Sequence, residues 1–220
     1  MISRPPRLYH DDDIRYITVG GRRVNIESPM PDNDLVQFLV DKVQVKSAPA
    51  RDASPLDNEP GEGLYDYQIK DMMKRYKRFV GVISADEIDT LPAKKRIGFI
   101  MNLDKRDQPG SHWVACYIDT VHDRSVEYYD SFGREPSLSF LRQIKDLITR
   151  ISPPTYLKLK INRIIQQRVT SDNCGYFSMK FLVDRFHGKP FKESTHYHDV
   201  NNGERSIEHF KEQFAKFGYI

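Results

Sequence analysis

Residues 169 to 181 read VTSDNCGYFSMKF, and the apolar run that starts after Gly175 continues to Phe186. A polar, loop-like TSDN leads into Cys174, and the run beyond it is too long for an ordinary strand and too poor in breakers for a turn. The pattern predicts a loop, then the cysteine, then a buried helix. A cysteine in the first turn of a helix lies among unpaired backbone N–H groups at the positive end of the macrodipole, and both favour thiolate over thiol. Free cysteines are also among the most buried of residues, so Cys174 taken by itself reads as a small core side chain. The partners that a thiol nucleophile requires separate the two readings.

Those partners lie upstream. His112 to Asp119, HWVACYID, and Ser125 to Asp130, SVEYYD, read as two strands joined by the polar TVHDR. Antiparallel pairing about a turn centred on residue 121 or 122 sets His112 opposite Asp130, or Asp130 opposite Val114, one pleat step away. Either register brings imidazole and carboxylate out at the same end of adjacent strands. A carboxylate there fixes the histidine tautomer, stabilises the imidazolium and leaves the other ring nitrogen for a nucleophile. Cys116, mid-strand with apolar neighbours, reads as core. Tyr156 to Ile165 alternates Leu157, Leu159 and Ile161 with Lys158, Lys160 and Asn162, a half-buried strand that delivers Gln166-Gln167 close to the Cys174 loop. A glutamine amide and the Cys174 backbone N–H would supply two donors for a developing oxyanion.

The remaining elements are read from periodicity. Ile14 to Ile26 reads as a hairpin about Gly20-Gly21, Asp34 to Val45 as a short amphipathic helix, and residues 47 to 63, SAPARDASPLDNEPGEG, as a linker or long surface loop. Tyr65 to Lys77 carries Ile69, Met72, Met73 and Tyr76 on one helical face. Ser84 to Glu87 is a capping-box pattern for a short helix that Pro92 ends, and Arg96 to Leu103 is a buried strand. Ser137 is the expected N-cap of a helix that Pro153-Pro154 stops. His187-Gly188 ends the helix after Cys174, and Glu204 to Phe217 aligns Ile207, Phe210, Phe214 and Phe217 on one stripe, for core packing or a partner groove.

Composition narrows the class. The chain has 220 residues, 39% of them hydrophobic, and a net charge of +3 with the two signs interspersed, so nothing demands a nucleic-acid or anionic-membrane partner. Two cysteines without CxxC spacing argue against a disulfide framework or a structural zinc site and suit a reducing compartment. His196 and His198 have no third ligand at suitable spacing, and no metal is expected. No h-region opens the chain and no run of eighteen apolar residues interrupts it, which predicts a soluble, non-secreted protein.

His112-Trp113, then YYDSFG at 128 to 133, then Gln167 seven residues before Cys174, together resemble the adenovirus-type maturation protease and its relatives, the ubiquitin-like-protein proteases and the cysteine proteases of large DNA viruses, virophages and polinton-like elements. FIMNLDKRDQPGSHWVACYID, residues 99 to 119, is similar to the viral branch, as is DYQIKDMMKRYKRFVGVISADEIDTLP before it. The likeness covers about residues 64 to 190. It implies an α+β, papain-like cysteine protease of the adenain and Ulp type, a mixed central sheet flanked by helices with the nucleophile at the start of a buried helix. In that reading residues 1–62 are an N-terminal extension and 63–220 the protease domain. Cys174 would be the nucleophile, His112 its base and acid, Asp130 the orienter and Gln167, or Gln166, the oxyanion donor. Asp130 stands where the adenoviral enzyme has glutamate; many relatives have aspartate. Trp113 would help wall a narrow channel that admits small residues, giving Gly-containing cleavage sites.

The function so implied is a cysteine endopeptidase that cleaves capsid or polyprotein precursors during virion maturation, acting as a monomer in the virion and infected host cell. It would need no cofactor, apart from a peptide or DNA activator of the kind the adenoviral enzyme makes conceivable. An isopeptidase that removes ubiquitin-like modifiers shares the chemistry and differs in substrate. A non-catalytic module with the same fold is the third reading, disfavoured because it has no need of Cys, His, Asp and Gln together.

Overall fold

A computed structural model describes residues 8–10, 16–19, 22–25, 63–195 and 200–216. The strands are β1 (Leu8–His10), β2 (Tyr16–Val19), β3 (Arg22–Asn25), β4 (Phe79–Ile83), β5 (Arg96–Asn102), β6 (Trp113–Asp119), β7 (Ser125–Tyr129) and β8 (Leu157–Ile161). The helices are α1 (Asp66–Met73), α2 (Leu138–Ile151), α3 (Cys174–Phe186), α4 (Phe191–Thr195) and α5 (Val200–Lys216). Six strands form one sheet in the order β1-β8-β7-β6-β5-β4, and β2 pairs with β3 in the hairpin expected about Gly20-Gly21. The sheet is mixed: β5, β6 and β7 are antiparallel neighbours, whereas β4 with β5, β7 with β8 and β1 with β8 run parallel. The expected helix at 34 to 45, the linker, and His196 and His198 lie outside the described residues.

Alternation along the central strands explains the layers. Successive side chains of a strand point to opposite faces, so Phe99 and Met101 of β5, Val114, Cys116 and Ile118 of β6, and Val126 and Tyr128 of β7 pack on Phe140, Ile144, Leu147 and Ile148 of α2. The other face sends Ile100, Ala115, Tyr117 and Tyr129 against α1, α3 and α5 through Ile69, Met73, Phe177, Phe181, Leu182, Ile207 and Phe210. Burying each such large side chain stabilises by about 1.5–3 kcal/mol, and two full faces make the sheet the rigid plane from which the site is hung. Cys116 belongs to the α2 side, and burial pushes its thiol well above the ordinary range.

Close approach fixes α3. A Cβ at Gly98 would stand 2.8 Å from Cζ of Phe186 and 2.9 Å from Cδ2 of Leu182. Gly98→Ala is therefore expected to cost about 1–3 kcal/mol by overpacking, measured by urea denaturation; a loss below about 0.5 kcal/mol would mean that α3 shifts freely on the sheet. Near its C-terminus α3 is also held electrostatically. Fully buried Glu127 of β7 pairs with Nε of Arg185 at 2.6 Å and with Nζ of Lys160 at 3.0 Å, and accepts from the Ser125 hydroxyl at 2.9 Å. Stripping one partner from such a buried pair leaves an uncompensated charge. Both anchors lie at or toward the far end of α3 and fix where its first residue, Cys174, points.

Local differences from expectation have local causes. Glu87 does accept the Ser84 N–H, at 2.9 Å, yet only a 3-10 turn, Ile88–Thr90, comes after it, because Pro92 stands too close for an α-helix to propagate. Ser137 caps α2 by accepting from Phe140 N–H at 3.1 Å, and Ser152 closes it in the left-handed region. Helix α5 begins four residues before the expected Glu204, running through Asn201-Asn202-Gly203, and α4 has no counterpart among the expected elements.

Candidate active site

Cys174 is the first residue of α3, with Asn173 as N-cap; the first N–H groups of the helix have no carbonyl within it to bond. His112 immediately precedes β6 and Asp130 immediately follows β7. The β6–β7 pairing matches Ala115 with Tyr129, so one further step sets Asp130 level with Val114, the second of the two expected registers. His112 Nε2 lies 2.8 Å from Asp130 Oδ1. His112 is 6% exposed and Asp130 fully buried. Burial opposes the histidine's charge, but the Asp130 carboxylate and a hydrogen bond to the Cys174 sulfur outweigh it and raise its pKa to about 9. With Nε2 committed to Asp130, Nδ1 is the ring nitrogen left for the sulfur. Helix, strand start and strand end thus bring together the three residues expected to form the site.

The carboxylate is itself held. Asp130 Oδ1 also accepts from Phe132 N–H at 2.8 Å, while Oδ2 is buried with Arg134 Nε at 3.8 Å. The Phe132 ring lies 4.9 Å, centre to centre, from the His112 imidazole, and the Arg134 guanidinium stands over the Phe132 ring at 4.7 Å. Asn162, just beyond β8, donates to the Asp130 carbonyl at 2.8 Å. Ahead of His112, Asn102 Oδ1 accepts from Asp104 and Ser111 N–H at 2.9 and 3.0 Å, closing the Asn-Leu-Asp to Pro-Gly loop. Gly110 has φ +89°, and a Cβ there would meet the Asn102 amide at 2.9 Å, so this loop requires glycine at that point.

The two glutamines are tied to different parts of the fold. Gln166 is buried, its oxygen taking the Tyr129 hydroxyl at 2.5 Å and its amide bonded to the Thr195 carbonyl. Those ties anchor Gln166 to β7 and to α4, away from the loop that leads to Cys174. Gln167 accepts from the Ser131 hydroxyl at 2.6 Å and spends one amide proton on the Ser171 carbonyl at 2.5 Å, leaving the second on the loop that leads to Cys174. Trp113 is half-buried, its indole N–H bonded to the Leu64 carbonyl at 2.8 Å. Leu64 in turn lies 3.2 Å from where a Cβ of Gly175 would be. Indole and Leu64 are thereby linked to the residue that follows Cys174 at the start of α3.

Asn102 and Phe132 fall inside the stretches that carry the resemblance, 99–119 and 128–133, but their roles, like that of Asn162, depend on contacts that only the fold identifies.

The family model for the Ulp1 protease family, C-terminal catalytic domain, matches residues 66–216. The chain belongs to the Ulp1 protease family. It is 31% identical over 127 residues to the putative thiol protease R355 of Acanthamoeba polyphaga mimivirus, covering 55% of this chain and 41% of that protein. It is 29% identical over 131 residues to the cysteine protease S273R of African swine fever virus, isolate Tick/Malawi/Lil 20-1/1983, covering 55% of this chain and 45% of that one. The chain thus spans less than half the length of these curated relatives. The crystal structure of the ASFV pS273R protease superposes with a TM-score of 0.56 at 18% identity over 74% of this chain and 70% of that one. That likeness carries the fold, an α+β sheet-and-helix protease architecture, which agrees with the expectation from sequence. The Ulp1 family is one of cysteine proteases, and the viral origin of these relatives agrees with the branch that residues 99 to 119 resemble.

Proposed function

We propose that the protein is a cysteine endopeptidase that cleaves viral capsid or polyprotein precursors. The observation that carries this is the buried His112–Asp130 pair, with Cys174 at the start of a helix among the groups that raise the imidazole's pKa. The Cys174 sulfur attacks the scissile carbonyl carbon, and the resulting oxyanion is received by the Cys174 N–H and the second amide proton of Gln167. The C–N bond then breaks as His112 passes its Nδ1 proton to the departing amine. Water deprotonated by the same nitrogen hydrolyses the thioester and returns the free thiol. Asp130 keeps the imidazolium charged and its ring turned toward the sulfur throughout. Besides the substrate, only water from outside the chain enters these steps; a peptide or DNA activator would not be a reactant in them.

Trp113 and Leu64, linked to the start of α3, favour substrates with small residues at the cleavage point, hence Gly-containing sites. The viral relatives favour precursor processing, in virion and infected cell, over the alternative of an isopeptidase. That alternative has its own support, because several African swine fever virus relatives at 28% identity are named SUMO-1 cysteine protease. Residues 1–62 act as an extension to a protease domain at 63–220, a monomer in this reading.

The test is labelling by a Gly-Gly peptide aldehyde or vinyl ester, mapped by mass, and then cleavage of Gly-containing precursor peptides beside SUMO- and ubiquitin-type conjugates. Labelling confined to Cys174 with precursor cleavage supports the reading. Exclusive cleavage of conjugates selects the isopeptidase, and silence of Cys174 with and without candidate activators refutes both. The His112 imidazolium persists below about 9 and is lost above it. The kcat/KM for an amide substrate should therefore hold through neutral pH and fall along an alkaline limb near 9, about tenfold per pH unit; a limb near the ordinary histidine range would contradict the proton-donor role.

A further inference from the structure

The segment between Gln167 and Cys174 must hold two reacting groups still, yet it is a loop, and loops open more readily than the elements they join. Its restraint comes from α5. Glu204, only 9% exposed, accepts through Oε1 from Arg168 N–H at 2.8 Å and through Oε2 from Asn173 Nδ2 at 2.9 Å and the Ser171 hydroxyl at 3.3 Å. Three donors on three loop residues converge on one carboxylate.

Two of them lead directly to the reacting groups. Asn173 adjoins Cys174, and its side chain makes no cap for α3, being committed to Glu204 instead. Ser171 accepts from Asn173 N–H at 3.3 Å through its hydroxyl and from the Gln167 amide at 2.5 Å through its carbonyl. Gln167, Ser171, Glu204 and Asn173 therefore form one linked set ending at the nucleophile. Position 203 allows α5 to come this close: a Cβ there would collide with the Gln166 carbonyl. Arg168 adds a second tie, its guanidinium donating to Asn201 Oδ1 at 2.5 Å.

We propose that Glu204 is a positioning residue of the hydrolytic site, a carboxylate on α5 that holds the 168–173 loop so that the Cys174 sulfur and the Gln167 amide stay in register with His112. The inference rests on Cys174 being the nucleophile. The hydrogen bonds of Glu204 go to the loop, so its loss acts through geometry and falls on kcat more than on KM.

Glu204→Ala should lower kcat about 10- to 100-fold, the scale of a misplacement near 1 Å, with KM within about threefold, and should speed amide hydrogen exchange across 168–173. Glu204→Gln keeps an oxygen for Arg168 N–H, and its amide can meet Asn173 once that carboxamide turns to present its own oxygen; it should recover most of the kcat. Phe210→Leu, on the packed face of the same helix, supplies the comparison: it lowers Tm and leaves kcat of the folded protein unchanged. The proposal is overturned if Glu204→Ala keeps kcat within about twofold, if exchange at the Arg168 amide is unaltered, or if Phe210→Leu loses kcat equally. Should wild-type protein neither cleave nor label at Cys174, the hydrolytic reading fails, while the exchange measurement, which needs no substrate, still shows whether Glu204 holds the loop.

Discussion

Cys174→Ala is expected to abolish peptide hydrolysis, by a factor on the order of 10⁴ or more, with the fold intact. The loss is total in practice because the other thiol cannot substitute: Cys116 is locked in the α2 layer and held protonated by burial. The fold survives because the substitution removes one sulfur from a partly exposed helix start and leaves the α3 backbone, the Gly98 contact and the Glu127–Arg185 pair untouched. Alanine is also a strong helix former. Turnover and labelling, measured beside a thermal melt, check both halves. Residual turnover within about a hundredfold of wild type would remove Cys174 from the nucleophile role.

Asp130→Asn is expected to lower kcat by about 10²- to 10⁴-fold and to move the alkaline limb toward acid. Burial alone pulls the His112 pKa down, and the Asp130 carboxylate is the largest of the influences that raise it. A carboxamide can still accept the Phe132 N–H that Asp130 Oδ1 accepts at 2.8 Å, so the turn after β7 should stand. What disappears is the charge that keeps the imidazolium populated. The discriminating readout is the pH profile: an unmoved limb near 9 with nearly normal kcat would show that another group sets the state of His112.

The candidate trio of Cys174, His112 and Asp130 was legible because each member sits where residue type and local pattern agree. A hairpin with its turn at 122 fixes the relation of Asp130 to His112 whatever the rest of the chain does, and a polar loop running into an apolar helix exposes Cys174 at its start. The glutamines were ambiguous for a physical reason. Adjacent residues after a strand differ only in which way the chain turns, and that turn is set by Ser131, Tyr129 and Thr195, all remote in sequence. Glu204 was hidden by its neighbours. Asn201-Asn202-Gly203 reads as a loop, since a mid-helix glycine costs about 1 kcal/mol of propensity, and only the approach to Gln166 explains why glycine is wanted there. Parallel pairing of β4 with β5 was likewise unreadable, because nothing local to Phe79–Ile83 names its partner.

The span of chain behind each contact has a consequence for how the site comes into being. The histidine and its carboxylate are 18 residues apart and joined by one tight hairpin, whereas the thiol must wait for α3 to settle on the finished sheet, and the loop before it for a helix made later still. Closing short loops is fast and distant closures are slow. A newly made chain leaving the ribosome therefore carries a complete acid–base pair well before it has an aligned thiol, and stays harmless to its surroundings during synthesis. Pulse-labelling hydrogen exchange during refolding should see protection at Val114–Ile118 and Val126–Tyr129 precede protection at Arg168 and across residues 171–174; simultaneous protection would argue against this order.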